Sequence, residues 1–131
     1  MTRPVAGLQP GLSHELRREV RQDMSARHLG SGDVGVLATP AMIAMMEGAS
    51  MRAVQDQLGE GQTTVGYLVN IRHLAPTPIG AEVVATARLE SVDGRKLRFR
   101  VEVHEGDKLV GEGEHVRVII DSESFLKQST A

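Results

Sequence analysis

Thr39-Pro40-Ala41-Met42-Ile43-Ala44-Met45-Met46-Glu47-Gly48-Ala49-Ser50-Met51-Arg52-Ala53-Val54 is the stretch whose reading decides the arrangement of the whole chain. It reads as one helix. Thr39 is a favoured N-cap, and Pro40 suits the first helical turn, where its missing N–H is not needed. Gly59 offers a stop. At ~100° per residue, Met42, Met45, Met46, Ala49 and Ala53 fall on one side, and Ile43, Ala44, Met51 and Val54 on another. The polar wedge left over is narrow: Gly48, Arg52, Gln55 and Asp56. A helix this apolar has to be wrapped by other elements, not merely leaned upon.

Glu47 breaks the pattern, because its helical neighbours are Ile43, Ala44, Ser50, Met51 and Val54. Burying an ionised carboxylate costs several kcal/mol unless it is paired or protonated, as a rough scale. Two readings follow. Glu47 is either a boundary residue, snorkelling or paired with an Arg, or a functional carboxylate made more basic by a dry cleft.

Outward from the helix the period changes. After Gly59-Glu60-Gly61, Val65, Tyr67, Val69, Ile71 and His73 alternate with Thr64, Gly66, Leu68, Asn70 and Arg72, a strand pattern whose first set is expected to face the helix. Pro76, Pro78 and Gly80 end it. Ala81, Val83, Ala85, Ala87 and Leu89 make a second apolar face, and Asp93-Gly94 is a hairpin turn signal. Leu97, Phe99, Val101 and Val103 make a third, followed by the Gly106-Asp107 turn. In the last strand, about Lys108 to Ile120, one parity holds Val110, Val116, Val118 and Ile120. The other holds Gly111, Gly113, His115 and Arg117, and glycines inside a strand suggest a bulge or a close approach. Upstream of the helix, Leu12, His14, Leu16 and Val20 alternate with polar residues, and residues 28–35 form a glycine-rich loop. Residues 1–10 read as a flexible leader, 11–121 as a single domain and 122–131 as a polar tail that frays apart from Phe125-Leu126.

One strand, one long apolar helix and a meander of four one-sided strands are satisfied together by an α+β arrangement. A highly twisted antiparallel sheet of about five strands wraps the helix, which is the hot-dog fold. Its strand edges must be paired or blunted, so the sheet is expected to continue into a second subunit.

Composition narrows the function. Of the 131 residues, 40% are hydrophobic and 24% charged, as in ordinary globular chains, and the formal net charge is −2. That offers no basic field for nucleic acid and no cationic run for an anionic membrane. Only Tyr67, Phe99 and Phe125 are aromatic, too few for a base-stacking surface. With no cysteine, thiolate chemistry and disulfides are excluded, and the five histidines show no metal-ligand spacing. No signal-like or membrane-length apolar run is present, so a cytoplasmic protein without cofactor or metal is expected.

Three polar groups belong to otherwise apolar surfaces or to the helix start: Thr39, Glu47 and His73. Each alone has an ordinary structural explanation, as an N-cap, a boundary carboxylate and a core histidine. Together, with the carboxylate two turns from the helix start, they are less readily put down to accident. The segment from Val36 to Ala49 resembles the helix of the fluoroacetyl-CoA thioesterase type of hot-dog enzymes, and Val69 to Gly80 resembles that family's catalytic-histidine strand. The similarity runs on through Leu89 to Arg95 and Gly111 to Arg117, covering about residues 10–120. The resemblance implies a Thr–Glu–His site on Thr39, Glu47 and His73, acting on acyl-CoA at the interface of a homodimer or of dimers paired into a tetramer. It also implies a backbone donor at Gly66 and a substrate-pocket arginine at Arg117. Two departures stand out: Pro40 follows the Thr where the family commonly has Gly, and Asp33 to Leu37 lacks the aromatic gate of fluoroacetyl-selective members. With Met42, Met45 and Met46 expected near the acyl channel, selectivity for fluoroacetyl is expected to be low. A non-catalytic acyl-CoA-binding protein and an enoyl-CoA hydratase or dehydratase stay open as alternatives.

Overall fold

The structure, a computed structural model, describes residues 7–130. Its elements in chain order are β1 (Ser13–Glu19), a 3-10 turn (Gln22–Met24), α1 (Ala26–Leu29), α2 (Thr39–Gln55), β2 (Gln62–His73), β3 (Glu82–Asp93), β4 (Lys96–Glu105), β5 (Lys108–Asp121) and α3 (Ser122–Ser129). The five strands form one antiparallel sheet in the order β1-β3-β4-β5-β2, wrapped on α2 in the hot-dog manner. The edges are therefore β1 and β2.

The helix is buried as its composition requires. Met42, Met46, Ala49 and Val54 have no more than 1% of their surface exposed, and they pack on Val83, Ala85, Leu89, Leu97, Phe99, Val101 and Val103. Each such Met or Val contributes about 1.5–3 kcal/mol of burial. All three of Met42, Met45 and Met46 belong to this core, and none of them lines the cleft beside Thr39 and His73. Gly111 shows why β5 tolerates glycine: a Cβ there would meet the Met42 Sδ at 2.5 Å, so helix and strand approach closely only because that side chain is missing.

The strand periodicity holds along β3 as far as Leu89 and along β4 as far as Val103, where register shifts follow, but not through the middle of β2. A bulge between Gly66 and Leu68 adds a residue, and the side-chain parity inverts across it. Ile71 and His73 face the helix as the alternation predicts. Upstream of the bulge it is Thr64 and Gly66 that turn inward, Thr64 being 3% exposed, while Tyr67 is 61% exposed and meets Lys96 Nζ over its ring. In β5 the parity with the polar members, His115 and Arg117, is the inward one, opposite Phe99 and Leu97 of β4.

Both chain ends differ from the sequence reading. Residues 1–6 of the expected leader lie outside the described residues, but Leu8 is 5% exposed within the core cluster, and Gly11 N–H donates to the Leu89 carbonyl at 2.8 Å. Past Asp121 the polar segment is helical, because the Asp121 carboxylate caps α3 by accepting from the Ser124 N–H at 3.0 Å. The loop before α2 likewise contains the 3-10 turn and α1, the latter capped by Ser25 accepting from His28 N–H at 3.1 Å.

Candidate active site

Two polar clusters sit on the helix side of the sheet. The first is at the start of α2. Its N-cap is Ala38 and not Thr39, whose hydroxyl makes no cap hydrogen bond. Met42 N–H donates to the Ala38 carbonyl at 3.0 Å, so the first turn closes on the backbone and leaves the Thr39 side chain free. That hydroxyl lies 2.7 Å from His73 Nδ1. His73 reaches it from the end of β2, where Leu74 N–H and Ala75 N–H both donate to the Val110 carbonyl and turn the chain off the sheet. Burial lowers the His73 pKa, opposed by the backbone of Ala75. Nδ1 thus meets a hydroxyl, which both donates and accepts, and Nε2 is buried with no hydrogen-bond partner.

A cleft of about 390 Å³ opens beside this pair. Its walls are Ala26, Val34, Val36, Leu37, Leu74, Ala75 and Pro76, with Ser31, Gly32, Thr39 and His73 completing it, and none is Phe, Tyr or Trp. The segment before α2 is held against the β2–β3 connection by Leu37 N–H donating to the Thr77 carbonyl at 2.9 Å. The wall is thus held to the β2–β3 connection at Leu37. Val34, 56% exposed, and Leu74, 51% exposed, present apolar surface there.

The second cluster is two turns further along α2. The Glu47 carboxylate lies 3.9 Å from the Arg117 Nη1, and its side chain is 39% exposed while that of Arg117 is 8% exposed. Of the two readings of Glu47, the structure supplies the Arg partner; the carboxylate does not stand in a dry, purely apolar cleft. Each Arg117 nitrogen makes one hydrogen bond, using three of its five N–H groups: Nε donates to Thr64 Oγ1 at 2.7 Å, Nη2 to the Thr64 carbonyl at 2.8 Å, and Nη1 to His115 Nε2 at 3.1 Å. Burial pulls the guanidinium below its ordinary value, and Glu47 opposes the shift. Gly66 completes the cluster, since a Cβ there would stand 2.7 Å from Glu47 Oε2. Gly66 and Arg117 face each other across the β2–β5 ladder.

Within one chain, then, Thr39 and His73 meet, Glu47, Gly66 and Arg117 meet, and the two groups stay apart. Eight residues separate Thr39 from Glu47, which at 1.5 Å per residue is about 12 Å along the helix. Thr64 and His115 were not singled out from the sequence, although both sit on alternations in which polar side chains prove to point inward. Among the described residues, no group of three or more His, Asp or Glu could hold a metal ion, and no helix is long and apolar enough to cross a membrane.

Comparison with known proteins gives this arrangement a family. The model of the family described as FlK, fluoroacetyl-CoA-specific thioesterase, matches residues 20–123. The chain belongs to the fluoroacetyl-CoA-specific thioesterase family. A curated relative, the fluoroacetyl-CoA thioesterase of Streptantibioticus cattleyicolor, is 41% identical over 90 residues, 69% of this chain. That match spans 65% of the relative's length. A solved structure of the fluoroacetyl-CoA thioesterase FlK superposes with a TM-score of 0.89 at 33% identity, covering 95% of this chain and 96% of that one. A thioesterase superfamily member from Thermus thermophilus superposes with a TM-score of 0.85 at 30% identity, covering 98% of this chain and 96% of the other. The likeness to these hot-dog structures thus extends over nearly the whole fold.

Proposed function

We propose that this FlK-family chain hydrolyses an acyl-CoA thioester to the free acid and CoA, in a site shared between two subunits. The observation that carries this reading is the 2.7 Å contact of Thr39 with His73 at the floor of an apolar cleft, under the start of α2. A thioester carbonyl placed there meets helix N–H groups that have no intrahelical partner and the positive end of the helix dipole. Pro40 removes one of those donors, leaving the others and Gly66 to serve the oxyanion. Water, positioned by Thr39, forms the new C–O bond as the C–S bond breaks. Its proton is taken up by Glu47 and returned to the departing thiolate through the neutral His73 ring, which gains one proton as it gives one, so that both residues end as they began.

Glu47 is the base, and we assign it to the opposite subunit from the Thr39 and His73 it serves. The two clusters of one chain are too far apart to act on one carbonyl. The open edge of β2 carries exposed Tyr67, Leu68 and Val69, whereas the β1 edge is lined by Glu15, Arg17, Arg18 and Glu19. Two-fold antiparallel pairing along β2 brings the His73 end of one strand toward the Gly66 end of the other. Glu47, Gly66 and Arg117 of the partner subunit then complete the cleft, Arg117 serving substrate and carboxylate together. The dimer is therefore part of the reaction.

The test is complementation. Thr39→Ala and Glu47→Gln are each expected to be inactive as homodimers. Unfolded together and refolded at equal amounts, they should recover about a quarter of wild-type thiol release, because half the dimers are mixed and each mixed dimer holds one intact site of two. No recovery, with mixed dimers present, refutes the shared site. The substrate panel runs from short to long and aryl acyl-CoAs and includes crotonyl-CoA. Its hydration in place of cleavage would make the protein a hydratase, and tight binding without turnover a binding protein.

A further inference from the structure

His115 has no role in the chemistry above, yet it is 1% exposed and both of its ring nitrogens are committed. Nδ1 lies 2.8 Å from the Leu68 carbonyl, and Nε2 lies 3.1 Å from Arg117 Nη1. Neither neighbour can change roles. A carbonyl only accepts, so Nδ1 carries the proton; a guanidinium only donates, so Nε2 is bare. The ring is therefore neutral and fixed in one tautomer, and adding a proton to Nε2 would set two donors against each other. Burial, the largest cause, and Arg117 push its pKa down, against the Leu68 carbonyl and Glu47.

The position of each contact matters more than its presence. Leu68 is the residue at which β2 resumes its pairing after the bulge, so the Nδ1–H bond ties the bulge to β5. That bulge is what turns Gly66 toward Glu47. Nε2 takes up the one Arg117 nitrogen that Thr64 does not hold, and it is the nitrogen nearest the Glu47 carboxylate. The Phe99 ring stands 6.5 Å away at a tilt of 30°, filling one side of the imidazole's pocket. With Nη1 released, the guanidinium would keep its two bonds to Thr64 but lose the contact that aims its free edge at the carboxylate.

We propose that His115 is a positioning residue: through its Nε2 it holds the Arg117 Nη1 against Glu47, and so sets where the catalytic carboxylate sits. This inference rests on the thioesterase reading of the same site, and its test separates the two. The first measurement needs no substrate. Imidazole nitrogen shifts in the labelled dimer should show the Nδ1–H tautomer, unchanged from about pH 8 to about pH 6, below the ordinary histidine midpoint near 6.5. A ring with the proton on Nε2, or one titrating near 6.5, overturns the proposal whether or not the protein is a thioesterase.

The second measurement separates the two nitrogens. In His115→Gln the side-chain oxygen stands near the Nε2 position and can still accept from Arg117; in His115→Asn the amide stands near Nδ1 and keeps only the Leu68 contact. Both variants should be dimeric with similar melting temperatures. His115→Gln should retain kcat within about threefold of wild type, and His115→Asn should lose about tenfold or more in kcat with KM little changed. Equal losses in the two variants, or losses that follow melting temperature, would make His115 a packing residue only. An inactive wild type would overturn the thioesterase reading instead, leaving the tautomer measurement to judge the geometry.

Discussion

Gly66→Ala isolates the geometry of the Glu47 carboxylate from its chemistry. The added Cβ would stand 2.7 Å from Glu47 Oε2, where ordinary contact begins at about 3.4 Å, so the carboxylate must retreat by about 0.7 Å. The other neighbours do not resist: His115 Cε1 is at 3.5 Å and Arg117 Nη1 at 3.8 Å, both ordinary contacts. The obstacle is the end of a flexible side chain, so the strand stays in place and Glu47 moves. Displacement of a catalytic group by about 1 Å costs on the order of 10²-fold in rate, and a 10- to 10²-fold loss of kcat is expected here. Stability should change the other way. Gly66 is not among the glycines with positive φ, so Ala fits the backbone and restricts the unfolded chain, a gain of about 0.4–1 kcal/mol before the cost of moving Glu47. Thiol release from the best acyl-CoA and a thermal scan of the same preparation make the assay. In the Glu47→Gln background the Ala substitution should cost little further, since the group it displaces is already disabled. Turnover at the wild-type level, or equal further losses in both backgrounds, would refute the reasoning.

Glu47→Gln should keep the fold and lower turnover by about 10²-fold or more, the scale of a general base, and near-normal turnover would return Glu47 to a structural ion pair. His73→Ala should lose most activity with a modest change in melting temperature, because His73 is only partly buried and its Nε2 bonds to nothing; collapse of the fold would make its role structural. The pKa values of His73 and His115 are lowered in the folded chain, so between those values and about 6.5 the unfolded chain binds more protons. Their contribution to stability is complete above about pH 6.5 and is lost as pH falls toward the lowered values, and melting temperatures that stay level or rise from pH 7 to 5 would contradict this. Fluoroacetyl-CoA and acetyl-CoA should be cleaved with similar kcat/KM and larger acyl groups better, because the walls at Val34, Val36 and Leu74 are aliphatic and a size difference smaller than a methylene discriminates weakly, a methylene being worth about 1–3 kcal/mol. A thousandfold preference for the fluorinated substrate would show that an aromatic gate is unnecessary.

The wrapped helix and the one-sided strands were legible from sequence alone, because side-chain burial repeats with the backbone period along α2, along β3 as far as Leu89 and along β4 as far as Val103. The sequence also marked Thr39, Glu47, His73, Gly66 and Arg117, since polar groups on apolar faces and the family's motifs are local features. What it could not carry was any property set by contacts between distant segments. One extra residue at the β2 bulge inverted the parity of Val65 and Tyr67, and a period of two has no memory of which face it started on. The inward turn of His115 and Arg117 followed from pairing with Phe99 and Leu97, not from anything in their own strand. Thr39 reads as a cap in one dimension, but the Ala38 carbonyl closes the turn and the hydroxyl goes to a histidine 34 residues away. The helix kept Glu47 two turns from Thr39, as its rise per residue demands. A rigid rod cannot bring its own two ends to one carbonyl; the strand pattern alone already called for a second subunit, but only the separation of the two clusters in the folded chain gives that subunit a part in the proposed site.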